Sequence, residues 1–321
     1  MKKLFYLISS ILLISTLLSS CDNGSKKSEN TYTLASLKGP SSIGLLPLID
    51  SINNVENPSL EITISPEPLQ VRKMMLEGTA DFAILPSTTA ALLYNKGLDY
   101  QLIAIPIWGT LSLCGTDESI NDWSDLKNKK VYLMAKGMTP DVLFRYLLKE
   151  NDLQPYEDVE LDYRFPTHID LANAVIAGRA DMAVLSEPYL SLALLKNNNL
   201  KRIFDLGDKW YELKEIPIAE TALLCKKELL EKNPEFVEKL LKIYSKSTDW
   251  VNDNLEESAS LAVKYGIVPD SVAALNSIPH SNLKLRLTKD VKDLVKQYLN
   301  VFYEMDSVII GGKMPDEEFY Q

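Results

Sequence analysis

The chain has 321 residues, and its 34 lysines and arginines against 44 aspartates and glutamates give a formal charge of −10. That balance, with no basic cluster longer than a few residues, argues against a nucleic-acid partner. Two histidines exclude a histidine-rich metal site, and three cysteines are too few for a disulfide scaffold, so no metal or cofactor is expected.

Lys2 and Lys3 precede an apolar run from Leu4 to Leu18 that serines interrupt. A membrane-spanning helix needs about 20 apolar residues, so residues 1–20 read as a secretory signal peptide. The run ends in Leu18-Ser19-Ser20-Cys21, which resembles the bacterial lipobox and makes Cys21 the expected lipidation site. Residues 21–30 are polar and read as a tether. The mature chain is therefore expected outside the cytoplasm, on the periplasmic face of an inner membrane or the outer face of a single membrane.

From Thr31 to about Leu206 the pattern alternates between strand and helix. Short β-rich runs at Tyr32–Leu37, Leu60–Ser65, Asp81–Leu85 and Gln101–Ile107 are separated by segments with helical apolar spacing, which predicts an α/β architecture with largely parallel sheets. Gly78-Thr-Ala-Asp-Phe-Ala-Ile-Leu85 returns one hundred residues later as Gly178-Arg-Ala-Asp-Met-Ala-Val-Leu185. The helical stretches ahead of them, 69–77 and 169–177, match in apolar spacing, and Lys38-Gly39 is echoed by Lys136-Gly137. Two similar Rossmann-like lobes follow from this repeat. Gly109–Gly115 and Glu220–Cys225 are β-like runs placed to cross between the lobes. Their Cys114 and Cys225 are either a disulfide or two free thiols. From Lys226 onward the pattern is almost wholly helical: Lys226–Lys232, Pro234–Asn254 with Asn233 as N-cap, Glu256–Tyr265 and Thr288–Met305.

These features in this order resemble the type II periplasmic solute-binding proteins of the sulfonate, nitrate and thiamine-precursor group. The lipobox, the Gly-x-Ala-Asp-x-Ala repeats and the stretch Trp123-Ser-Asp-Leu-Lys-Asn-Lys-Lys-Val131 carry the resemblance, with Asn128 in place of the usual glycine. So does the helical run from Lys226 to Val237, similar to that family's return into the first lobe. The resemblance implies a first lobe of residues 31–110 plus 224–321, with the helical C-terminal segment packed on it, and a second lobe of residues 111–223. It also implies a cleft, hinged by two crossing strands, that closes on one small molecule. The expected partners are that molecule, the permease and ATPase of an ABC-type importer, and the membrane through the lipid; the expected state is a monomer.

Ligands of open α/β sheets sit where strand ends meet helix N-termini. Four such junctions occur in the chain: Lys38-Gly39-Pro-Ser41-Ser42, Pro86-Ser87-Thr88-Thr89, Lys136-Gly137-Met138-Thr139-Pro140 and Ser186-Glu187-Pro188-Tyr189. Candidate ligand-binding residues are Lys38, Gly39, Ser41, Ser42, Ser87, Thr88, Gly137, Met138, Thr139, Glu187 and Tyr189, with Trp108 as a stacking platform near the hinge. The serines and threonines read equally as ordinary helix caps, and Trp108 equally as core. Hydroxyls, amides and lysines suit an anion; Glu187 suits an amine; Trp108, Tyr94 and Tyr189 suit a heteroaromatic ring. No nucleophile elbow, Walker loop, zinc-protease or dinucleotide motif is present, and Ser124–Lys127 and Ser281–Lys284 are chance Ser-x-x-Lys matches. The chain is not expected to be an enzyme. The alternatives are a ligand-sensing surface lipoprotein and a pyrimidine-precursor enzyme on the same fold, the latter at odds with a lipobox and two histidines.

Overall fold

The computed structural model describes residues 31–321, and the signal peptide, lipidated Cys21 and tether expected from residues 1–30 lie outside the described residues. The first part of the described chain runs β1 (Tyr32–Leu37), α1 (Pro40–Ile43), α2 (Leu46–Asn53), β2 (Leu60–Ser65), α3 (Pro68–Leu76), β3 (Phe82–Pro86), α4 (Ser87–Asn95), β4 (Tyr100–Ile107). A second part follows with β5 (Leu111–Gly115), β6 (Lys130–Tyr132), α5 (Thr139–Glu150), β7 (Glu160–Asp162), α6 (His168–Ile176), β8 (Met182–Ser186), α7 (Tyr189–Lys196), β9 (Lys201–Asp205) and α8 (Leu206–Lys214). The tail holds β10 (Thr221–Lys226), α9 (Lys227–Lys232), α10 (Pro234–Asp253), α11 (Leu255–Lys264), α12 (Ser271–Ser277), β11 (Leu283–Leu287) and α13 (Thr288–Met305).

The strands form two sheets, ordered β11-β4-β10-β3-β1-β2 and β7-β6-β8-β5-β9. In the first, β1 pairs in parallel with β2 and β3, while β10 is antiparallel to both β3 and β4. In the second, β6 pairs in parallel with β7 and β8, while β5 is antiparallel to β8 and β9. Each sheet thus receives an antiparallel strand at the equivalent place, just after the chain has left the other sheet, and the first sheet gains a second in β11, which runs antiparallel to β4 at its edge. The central strands read as unbroken apolar runs because helices cover both faces: β4 is buried at every residue and β3 at all but Pro86. Gly78 and Gly178 match in backbone as they do in sequence, with φ of 68° and 66°. Both end a helix in the left-handed conformation that glycine enters without a Cβ clash.

The crossings differ from the expectation in one respect. The runs expected to cross, Gly109–Gly115 and Glu220–Cys225, contribute β5 and β10, each of which lies within one sheet. The chain crosses instead through the short non-strand segments 108–110 and 215–220, and β10 of the first sheet begins at Thr221. Cys114 lies in β5 and Cys225 in β10; both are free, buried thiols, and burial pushes Cys114 up to about 12.

The tail packs on both faces of the first sheet. On one side, α10 presents Val237, Leu240, Tyr244 and Val251 at helical spacing to a core shared with Leu46 and Ile49 of α2. On the other, α13 buries Val295, Tyr298, Leu299 and Phe302 in the core that holds Leu102 and Ile105. Each fully buried side chain of this kind contributes about 1.5–3 kcal/mol. Pro234 opens α10 and the Asn233 side chain accepts from Phe236 N at 3.3 Å, as its cap position requires. The tail also touches the helices of the second sheet, α12 against α7 and α13 against α5. The expectation of an almost wholly helical tail passed over β11, whose leucines at 283, 285 and 287 alternate with Lys284 and Arg286 in strand period. Among the described residues no helix is long and apolar enough to cross a membrane.

Candidate functional site

A cavity of about 450 Å³ opens where the two sheets face each other. Its wall is built from the N-terminal ends of helices on both sides: Lys38, Pro40 and Ser41 before and in α1, Glu67 and Pro68 at α3, Met138 and Thr139 at α5, Thr167 and His168 at α6, and Glu187 and Tyr189 at α7. The crossing segments floor it with Thr110 and Glu220. Helix openings carry free N–H groups and partial positive charge, so their convergence suits an acceptor-rich or anionic group. Prolines and aliphatic side chains, among them Leu37, Pro66, Pro86, Ile107 and Leu111, supply the apolar remainder.

The two sides touch. Thr88 Oγ1 of α4 and Thr139 Oγ1 of α5 lie 2.9 Å apart, both buried. Gly39, with φ of 112°, brings the loop before α1 against Pro188 at the head of α7; a Cβ built there would meet Pro188 Cδ at 3.5 Å. The glycine is needed for that backbone conformation.

Among the described residues, three polar groups at or beside the cavity lack partners. Arg72 lines it, its Nε is buried without a hydrogen bond, and among the described residues its guanidinium makes no ion pair. Thr221 Oγ1 lines it likewise unpartnered, and Ser87 Oγ is buried and unpartnered beside Pro86. Buried polar groups are nearly always satisfied, so this set has unmet bonding capacity that a bound molecule or water would fill.

Glu187 is the reverse case. Its Oε1 takes a hydrogen bond from Arg202 at 2.7 Å and its Oε2 one from Ser191 N at 3.1 Å, with the side chain out of solvent. Arg202 also donates to Ser112 Oγ at 2.5 Å. The carboxylate is fully committed inside the second sheet's half and is not a free partner for an amine. His168 places Nδ1 2.9 Å from Ser186 Oγ and stacks on Tyr189, ring centroids 5.6 Å apart. Lost hydration holds its pKa down to about 4, so the ring is neutral near pH 7. Lost hydration, then Asp170 of α6, raises Glu67. The Glu220 carboxyl sits against Thr110: its Oε2 accepts from Thr110 N at 2.6 Å and its Oε1 from Thr110 Oγ1 at 2.7 Å. Loss of water raises it to about 7, against the lowering effect of those two bonds.

Of the residues named from sequence, Lys38, Ser41, Met138, Thr139, Glu187 and Tyr189 line the cavity. Gly39, Ser87 and Thr88 lie immediately behind it, in the contacts above. Ser42 turns inward, donating to Leu37 O at 2.7 Å and meeting Ser36 Oγ at 3.0 Å, which staples α1 to β1. Gly137 does not line the cavity; its N–H donates to Asp141 Oδ2 at 2.7 Å. Trp108 does not reach the cavity either. Its indole N–H donates to Lys284 O at 2.6 Å and Arg286 covers its ring, so β11, the strand that the sequence reading passed over, claims it. The sequence reading missed Glu67, Arg72, Thr110, His168, Glu220 and Thr221, which also line the cavity, while Ser186 lines it as part of the fourth junction. For two of them the signal was present: Pro66-Glu67-Pro68-Leu69 and Pro166-Thr167-His168-Ile169 stand one hundred residues apart, in the spacing of the repeat.

The family model described as NMT1/THI5 like matches residues 56–258. A relative named "Putative binding protein YtlA" from Bacillus subtilis (strain 168) is 25% identical over 194 residues, which is 59% of this chain and 56% of that protein; the match thus spans little more than half the relative's length. A crystal structure of an ABC transporter from Parabacteroides distasonis superposes with a TM-score of 0.79 at 26% identity, covering 91% of this chain and 99% of that one. The periplasmic aliphatic sulphonate binding protein SsuA from Escherichia coli shares the fold at TM-score 0.70 and 19% identity, over 90% of this chain and 93% of its own.

Proposed function

We propose, from the premise that this chain belongs to the NMT1/THI5-like family, that it is an extracytoplasmic solute-binding lipoprotein of an ABC-type importer. In this reading Cys21 carries the lipid, residues 21–30 are the tether, and the six-stranded and five-stranded sheets are two lobes hinged at 108–110 and 215–220. A small molecule enters between the lobes, and the closed form is what the permease and ATPase recognise. The chain binds its ligand and does not transform it, and works as a monomer.

The single observation that carries the reading is the cavity itself: helix openings from both sheets converge on one space whose wall holds an arginine with a buried, unbonded Nε and, among the described residues, no ion pair. Arg72 and Lys38 are its cations. Glu187 is neutralised by Arg202, which leaves Glu67 and Glu220 as carboxyls facing the cavity, both raised toward the neutral form. That balance favours an anionic group on the ligand over an amine. The apolar wall and the His168–Tyr189 stack favour an organic body, aliphatic or heteroaromatic, over a bare inorganic ion.

The test is a thermal-shift screen of residues 30–321 against sulfonates, nitrate, bicarbonate, pyrimidines, thiamine, riboflavin and amino acids. A ligand at 100 times its Kd stabilises by about 2.7 kcal/mol, a shift of several degrees. A selective hit among the organic anions or heteroaromatic acids is the expected result. Stabilisation by amines alone overturns the assigned charge.

A further inference from the structure

Thr110 and Glu220 lie on opposite crossing segments, and each is fixed to a different sheet. The Thr110 carbonyl accepts from Glu187 N at 3.1 Å, at the end of β8 in the second sheet. Glu220 donates its N–H to Ile107 O of β4 at 3.1 Å, and its carbonyl accepts from Ser87 N, the first residue of α4 after β3, at 2.9 Å, so both ties are to the first sheet's half. The two bonds from Thr110 N and Thr110 Oγ1 to the Glu220 carboxylate are therefore a link between halves, made at the floor of the cavity. Any rotation of one sheet against the other about the crossings moves one end of this link relative to the other.

We propose that Glu220 is a proton-linked hinge switch, in which closing the cleft dries the carboxyl against Thr110 and is coupled to proton uptake there. The proposal rests on the two-lobed reading above and adds a regulatory property to that site. The surface that Glu220 retains opens on the cavity, so its access to water depends on how far the halves stand apart. Opening hydrates the carboxylate and returns it toward the ordinary glutamate value; closing removes that water and raises it. The state with the higher pKa is the one that binds the proton, so falling pH favours closure and rising pH favours opening.

The charged and titratable surroundings support this direction. Asp205, the N-cap of α8, raises Glu220 further, and its own charge is partly met by Arg202 at 3.6 Å. Burial, and then the Glu220 charge, raise Tyr298 of α13 well above the usual tyrosine value, so it stays neutral. Across the cavity stand Lys38, Arg72, Glu67, Glu187 with its Arg202 partner, and His168. His168 titrates near pH 4, below the range of interest. Glu67 is raised by lost hydration and then by the Asp170 charge; the test separates it.

The experiment uses the full chain in detergent, with spin labels carried on unnatural residues at the exposed positions 76 and 177, at the ends of the equivalent helices α3 and α6. Double electron–electron resonance reads the distance between them from pH 5 to 9 without any ligand. The ratio of short to long distances is expected to fall by up to about tenfold per pH unit on approaching pH 7 from below, and to level off above it. Glu220→Gln removes that dependence, Thr110→Val shifts its midpoint upward by removing one bond that favours the charged form, and Glu67→Gln leaves the midpoint in place. A distance distribution that ignores pH in the parent chain overturns the proposal, as does a response that survives in Glu220→Gln or vanishes in Glu67→Gln. Should Glu220→Gln fail to fold, the midpoint shift in Thr110→Val decides. A ligand hit in the thermal screen beside a pH-independent distance strikes the switch alone; a pH response with no hit strikes the solute-binding reading alone.

Discussion

Thr88 Oγ1 and Thr139 Oγ1 meet at 2.9 Å across the cleft, one hydroxyl from the first turn of a helix on the six-stranded sheet and one from the first residue of a helix on the five-stranded sheet. Both residues are otherwise ordinary helix-opening threonines. In this arrangement they close a gap between halves, with neither hydroxyl reachable from bulk solvent.

Removing one of these hydroxyls leaves the other buried and unpaired, at about 1–3 kcal/mol, while removing both is nearer neutral. Thr88→Val and Thr139→Val are each expected to weaken binding of a screened ligand by about tenfold. The double variant is expected to lose less than the two single losses added together. A double-mutant cycle on the dissociation constant checks this, with a coupling of about 1 kcal/mol.

The buried pair of Glu187 and Arg202 is a stability element. Arg202→Met strands a carboxylate whose side chain has no solvent contact, and loss of one partner of such a pair typically costs about 3–5 kcal/mol. Denaturant unfolding of Arg202→Met is expected to show that loss, with a large part recovered in Glu187→Gln/Arg202→Met.

Acid should find His168. Its folded pKa of about 4 lies below the usual histidine value, so between about pH 4 and 6.5 the unfolded chain binds the extra proton and stability falls with pH. The full effect is no more than about 3 kcal/mol, less as cavity water reaches the ring. Glu220 works the other way, because its raised value makes the folded chain bind the proton, and stability rises as pH falls from about 7. Over their shared range the two oppose each other. Thermal melts of His168→Gln are expected to show stability rising toward acid, and those of Glu220→Gln to show it falling, relative to the parent.

Much of this architecture was legible because it was written twice. The pair Gly78 and Gly178 fixed the repeat, and the backbone gives both the same left-handed φ. Alternating strand and helix signals then placed β1 to β4 within a residue of their observed bounds. The site was legible only where it coincided with helix openings, hence Ser41, Thr139 and Tyr189. Arg72 lies a turn inside α3 and looks, in sequence, like any solvated cation; only its lack of a partner marks it. Glu220 and Thr110 depend on two crossings brought together from 110 residues apart, a relation no local pattern carries. Trp108 was placed in the cleft because β11 went unseen, and β11 supplies the Lys284 carbonyl that holds it.

The most direct test is a calorimetric titration of the screened ligand into the parent protein and into Arg72→Ala. Among the described residues Arg72 Nε is buried without a hydrogen bond and its guanidinium makes no ion pair, so the substitution should leave the melting temperature of the unliganded protein within about a degree or two. The expected result is one site per chain in the parent and an affinity lower by about 10- to 100-fold in the variant, the range for a lost charged hydrogen bond. Equal affinity in both proteins would contradict the account, because the ligand would then be held somewhere other than the cleft that Arg72 lines.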